Sequence, residues 1–255
     1  MGCFKVMNAS VKKPFISSYY VYITLVLMES LRWLSFVGGF GVLGYMAKDL
    51  AVSVGFAQAK LMLPFVAGVV IGQLVIGFLS DCYGRVRIFV IFCNLYAIAS
   101  LLCLLEHSTT AFLLFRFFSG VASPVGEITV RSLIADVCDL KEGGQLFSKV
   151  VAGSFILVGV APVILGYIGG RMGWRFFFVA IAIICCAVTA TAYNLLEATE
   201  YASRRQKKVH SSFISQVKTA LSTQEYLQFC LFYLLAGLII QTTFYYKSIL
   251  LIDYL

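Results

Sequence analysis

Ionisable side chains lying inside long apolar runs are the residues of this chain best placed to do chemistry. Arg116, Glu127 and Arg131 fall within one such run, and Glu29 and Arg32 within another. At 100° per residue, Arg116, Gly120, Ser123, Glu127 and Arg131 would share one helix face about 80° wide. Charges in a membrane-embedded helix are costly and face a partner or a water-filled cavity, where they bind ions, protons or polar solutes. Glu127 and Arg131, spaced i,i+4, can satisfy each other, whereas Arg116 has no local acid. Two readings follow for this face: a pathway lining in which Arg116, Glu127 and Arg131 take part in proton or substrate binding, or a ladder of ion pairs that holds helices together. Glu29 and Arg32, spaced i,i+3, read as a self-neutralising pair on one helix.

A second constellation lies between apolar runs, in "GFLSDCYGRVRIF", where Gly77, Asp81, Gly84 and Arg85 stand within nine positions. Its glycines permit a tight hairpin. Asp81 suits a facing helix amino terminus, and Arg85 suits a carboxylate. Conventional catalytic sets are not assembled: His107 and His210 both fall in connections, and no paired general acid and base emerges. The reading is therefore not that of an enzyme. The eight cysteines include no C-x-x-C pair, and most fall in apolar runs as small buried groups. No metal, disulfide framework or cofactor is expected.

The elements that must position these charges follow from composition. With 60% hydrophobic and only 13% charged residues, and a mean hydropathy of +0.91, the chain has more apolar surface than one water-soluble core can hide. A membrane-crossing helix needs about 20 apolar residues. Such runs lie near 23–46, 58–80, 87–105, 111–134, 146–169, 175–196 and 227–246. The fold class is an all-α integral membrane protein: a six-helix bundle over 1–200, a basic cytoplasmic linker over 201–225, and a seventh span in 226–255. Longer connections are expected at about 135–145 and 197–225.

The net charge of +8 does not point to nucleic acid, because no folded basic domain surrounds the "RRQKK" run, Arg204 to Lys208. Lys12, Lys13, Arg85, Arg87, Lys141, Lys149 and that run fall on one side of the spans, against Lys48, Lys60, Arg171, Arg175 and Lys247 on the other. This asymmetry places the amino terminus in the cytoplasm and the basic run against anionic headgroups. Lysines precede the first apolar run without a small-residue cleavage site, so that run reads as a retained helix. "MGCFKV" lacks the Ser or Thr of a myristoylation signal. Trp174, in "GWR", reads as an outer-interface anchor. Gln73, Asn94 and Gln241 read as interhelical glue.

Several stretches carry a resemblance. Gly77, Asp81, Gly84 and Arg85 match the G-x-L-x-D-x-x-G-R signature between helices two and three of the major facilitator superfamily, with Cys82 and Val86 where a basic residue is common. From about Gln73 to Glu200 the chain resembles bicyclomycin-resistance-type (Bcr/CflA-like) drug:proton antiporters, through "GQLVIGFLSDCYGR", "LLFRFFSGVAS", "VRSLIAD", "GVAPVILGYIGG" and "GWRFFF". Arg116 and Gly120 meet the fourth-span R-x-x-x-G motif, with Ser119 and Ala122 departing from it. Gly159, Pro162, Gly169 and Gly170 meet the fifth-span antiporter motif, with Gly166 replacing a second proline. Gly41 stands near the position where that family carries a first-helix acid, so that either Glu29 or Glu127 substitutes for it or proton coupling is lost.

The resemblance implies a secondary transporter of a bacterial inner membrane that exports small amphipathic compounds in exchange for protons, by alternating access between two bundles. It also implies that the Asp81–Arg85 turn latches against a helix of a second bundle. The expected partners are a small-molecule substrate, protons and the lipid bilayer, and not nucleic acid. The alternative expectation is a truncated or split transporter, transport-incompetent alone, that is either inert or needs a second half-chain or a homodimer partner.

Overall fold

In a computed structural model, residues 19–105 and 108–203 are described, together with a few helical positions from Ser222 to Leu235. The chain divides into two compact units, 1–205 and 206–255. The first is entirely helical among its described residues: α1 (Tyr19–Asp49), α2 (Val54–Tyr83), α3 (Arg85–Leu105), α4 (Thr109–Ala122), α5 (Val125–Val137), α6 (Leu140–Met172) and α7 (Phe176–Ser203). With α4 and α5 taken as one interrupted span, six helices are long and apolar enough to cross a membrane. They cover the first six runs expected from hydropathy. The amino-terminal signals, the "RRQKK" run, His107, His210 and Gln241 lie outside the described residues, as do most of the linker and the expected seventh span.

The spans pair as α1 with α6, α2 with α4, and α3 with α7. Small residues make the close approaches, because lipid gives apolar helices no hydrophobic reason to associate and packing must do so instead. A Cβ on Gly68 or Gly72 of α2 would run into the backbone carbonyls of Phe117 and Val121 of α4. One on Gly120 of α4 would run into Phe65 O of α2. Likewise Gly41 of α1 lies against Pro162 O of α6, and a Cβ on Gly166 would stand 2.9 Å from Gly41 O. Gly41 thus occupies a helix crossing where no acid would fit.

Three expectations need correction. The connection expected at 135–145 reduces to Cys138 and Asp139, since α5 runs to Val137 and α6 begins at Leu140. The fourth span is not one helix: it breaks at Ser123–Pro124, because proline lacks the N–H that would continue the helical ladder. Trp174 is not an interfacial anchor. It is 6% exposed, packs edge-on against Phe112 and Phe178, and donates from Nε1 to Asp49 Oδ2 at 2.8 Å. Arg175 pairs with the same oxygen at 3.3 Å, so the α6–α7 turn is tied to the end of α1.

Candidate functional site: a charged cluster between α1 and α5

Ending α4 at Pro124 restarts the chain as α5, whose first turn carries Glu127. Gly126, one residue earlier, lies against Met28 O of α1, and this close approach brings Glu127 to the middle of α1. Its Oε2 meets Arg32 Nη2 at 2.6 Å and accepts from Arg32 Nε at 2.7 Å. Its Oε1 accepts from Arg131, one turn along α5. One carboxylate therefore holds two guanidinium groups, one across helices and one along its own.

This arrangement corrects the self-neutralising Glu29–Arg32 pair. Arg32 turns to Glu127, 95 positions away in sequence, because a two-point guanidinium–carboxylate contact is stronger than a single-point one on the same helix. Glu29 is left 3% exposed, and its Oε2 has no hydrogen-bond partner. Burial differs across the cluster: Glu127 and Arg32 side chains are 4% and 16% exposed, whereas that of Arg131 is 50% exposed. The cluster is sealed toward the bundle and open beside α5. Aromatic rings border the opening, with the Arg32 guanidinium 4.3 Å from the Trp33 ring centre and that of Arg131 5.7 Å from Phe147.

Arg116 does not join this cluster. It is fully buried, donating from Nε to Leu61 O of α2 at 3.0 Å and from Nη1 to Ser35 Oγ of α1 at 3.4 Å. Phe65 and Phe178 flank its guanidinium at 4.5 and 5.6 Å. Rings and carbonyls, rather than an acid, hold this cation, and Nη2 has no partner. Arg116 and Glu127 still face α1 in common, the first through Ser35 and the second through Arg32.

The hairpin residues sit at one end of the bundle. Gly84 caps α2 with a φ of 98° and its N–H bonded to Ser80 O, a conformation that side chains with a Cβ resist. Arg85 opens α3 and pairs with Asp136 at the end of α5 at 2.6 Å. That partner was not legible, because Asp136 stands some fifty positions away on another element. Asp81 is exposed, and Gly77 lies inside α2 with open space where its Cβ would be. Of the antiporter-motif residues, Gly169 lies against Val42 and Gly170 against Tyr45, while Gly159 faces open space and Pro162 meets Gly41. Pro162, Gly169 and Gly170 thus space α6 from α1, and their close approaches are to Gly41, Val42 and Tyr45 rather than to the charged cluster. Gln73 is exposed, and Asn94 donates to Val90 O of its own helix rather than across helices.

Similarity to known proteins bears on the fold and family that carry this cluster. The family model described as Major Facilitator Superfamily matches residues 25–254. The chain is 30% identical over 209 residues to the uncharacterised MFS-type transporter YdgK of Bacillus subtilis, covering 79% of this chain and 50% of that protein. It is 28% identical to the MFS-type transporter hepF of Aspergillus oryzae, covering 58% of this chain and 32% of hepF. It is also 28% identical to the efflux pump radE of Floropilus chiversii, covering 56% of this chain and 27% of radE. The chain thus spans half or less of the length of these relatives. Among solved structures, it resembles the peptide transporter POT (E310Q mutant, in complex with sulfate) with a TM-score of 0.63 at 15% identity, covering 89% of this chain and 50% of that one. It resembles the POT family transporter PepTSo with a TM-score of 0.59 at 16% identity, covering 80% and 42%. The match over most of the chain, the six spans and the hairpin between the second and third lead to one assignment: this multi-pass membrane protein belongs to the major facilitator superfamily.

Proposed function

We propose that this chain supplies the amino-terminal bundle of a secondary transporter that moves a small amphipathic compound by alternating access, coupled to protons. The observation that carries this reading is the cluster of Glu29, Arg32, Glu127 and Arg131 in the middle of membrane-crossing helices. Ionisable groups at that depth are too costly to keep for packing alone, and one of them, Arg131, remains half exposed. Arg116, Glu127 and Arg131 are assigned to the pathway, with Arg116 bracing α1 and α2 from behind. Export in the manner of the Bcr/CflA-like drug:proton antiporters is the finer form of the proposal, and the efflux pump among the relatives supports it. Pro162, Gly169 and Gly170 then set the spacing of α1 and α6 on which rocking depends, and Gly159 of the same motif faces open space. The orientation follows the charge asymmetry, with the amino terminus in the cytoplasm of a bacterial inner membrane.

The hairpin favours a second reading of how the chain works. Gly77 faces open space and Asp81 is exposed, as suits a surface built to meet another bundle. Gly77, Asp81, Gly84 and Arg85 would then form a gate that closes only against partner residues. That bundle would follow the linker at 201–225 in a longer protein, or come from a second chain or copy. The test is drug-dependent proton flux in sealed vesicles, with this chain alone and with a supplied carboxy-terminal bundle. Flux is expected only with both, and Glu127→Gln is expected to abolish it. Full flux from the isolated monomer would refute the gate, and unchanged flux in Glu127→Gln would remove Glu127 from the coupling.

A further inference from the structure

The charged cluster presents its charges unequally: both acids, Glu29 and Glu127, are buried, while one guanidinium, that of Arg131, is half exposed. Glu127 engages Arg32 through one oxygen and Arg131 through the other, so one carboxylate answers for two guanidinium groups. The neighbouring acid, Glu29, makes no ion pair among the described residues and keeps a buried oxygen without a donor. The carboxylate within bonding distance of Arg131 is therefore one it shares with Arg32, and Arg131 is the group of the cluster that stands half exposed.

From Arg32, the other partner of Glu127, runs an aromatic track. Arg32 lies over Trp33, whose ring centre is 6.2 Å from that of Phe36 and 6.1 Å from that of Phe155. Phe36 in turn meets Phe40 at 5.9 Å. Phe155 is 55% exposed, so the track opens on its α6 side. A guanidinium with free donors binds carboxylate or sulfonate oxygens in a planar, two-point fashion. A cation brought to the same place would meet the half-exposed Arg131, with Glu127 already engaged twice and Glu29 buried.

Resting on the reading of this face as part of the transport pathway, we propose that it binds amphipathic organic anions. The flat apolar body lies along Trp33, Phe155 and Phe40, and the carboxylate or sulfonate lies on Arg131. The chain thereby selects the sign of its substrate and not only its greasiness.

Two probes of one shape and opposite charge test this: naphthalene sulfonate and naphthyl trimethylammonium, titrated against the purified full chain in nanodiscs of zwitterionic lipid. The sulfonate is expected to bind about tenfold or more tightly than the ammonium ion, the scale of one added charge-assisted contact. Arg131→Gln is expected to remove that preference, Arg131→Lys to restore part of it, and Trp33→Leu to weaken both probes. Equal or tighter binding of the ammonium ion, binding of neither probe, or a sulfonate affinity untouched by Arg131→Gln would overturn the proposal. Because binding is read at equilibrium, the two readings fail separately. Selective sulfonate binding without flux under any supply of a second bundle would refute transport alone, and flux of the ammonium ion would refute the anion site alone.

Discussion

Glu127 is the residue on which the interior charges converge, and its neighbours are unequal. Removing it takes from the largely buried Arg32 the carboxylate to which it is hydrogen-bonded, and breaking a buried pair costs about 3–5 kcal/mol. Glu127→Gln is therefore expected to lower the unfolding midpoint in detergent markedly. Arg131→Gln, at the half-exposed end, is expected to cost about 0.5 kcal/mol, as solvated i,i+4 pairs do. Equal losses in the two variants would contradict the division into a sealed pair and an open one. Arg116→Lys should also destabilise, by about 1.5–3 kcal/mol, because an ammonium cannot reach Leu61 O and Ser35 Oγ together while stacking on Phe65. At this scale the sequence was legible in kind but not in pairing. It marked Arg116, Glu127 and Arg131 as costly, yet spacing along one helix suggested Glu29 for Arg32. Cross-helix partners such as Glu127 for Arg32, or Asp136 for Arg85, depend on how spans cross, and local periodicity does not carry that.

Helices here are positioned by what their glycines lack. Gly68→Val and Gly120→Val each thrust side-chain atoms into the facing backbone of the α2–α4 crossing, and overpacking of this kind costs about 1–3 kcal/mol. Gly77→Val, on the same helix but facing open space, should leave the stability of this chain nearly unchanged, and thermal unfolding of the three variants checks the contrast. The turn between α1 and α2 offers the reverse case. Ala51 has a φ of 49°, a left-handed conformation that costs an L-residue about 1–2 kcal/mol, so Ala51→Gly is expected to stabilise. The span positions were readable because each needs a long apolar run. The break at Pro124 was present in the "SPVG" stretch, but the hydropathy of 111–134 runs through it unchanged. The short link at Cys138–Asp139 was hidden for the opposite reason: polar residues at the start of α6 resemble a loop until the helix is seen to carry them beyond the membrane.

At the scale of the molecule, the six spans of the first unit expose many large apolar side chains, Phe155 of α6 among them, and Arg131 of α5 stands half exposed. Residues exposed to the same degree then differ only in whether lipid or water covers them. Phe155 on α6 and Ile98 on α3 are both 55% exposed, and the first packs against Trp33, the ring that Arg32 of the cluster covers. In a chain freed of its native cysteines, the decisive measurement is the rate at which a membrane-impermeant thiol reagent modifies single cysteines at 98, 131 and 155. If the charged cluster borders an aqueous pathway, Arg131→Cys and Phe155→Cys will react and Ile98→Cys will not. Equal protection at all three positions, or reaction at 98 alone, would mean that the charges lie in packed protein and lipid and that no pathway passes them.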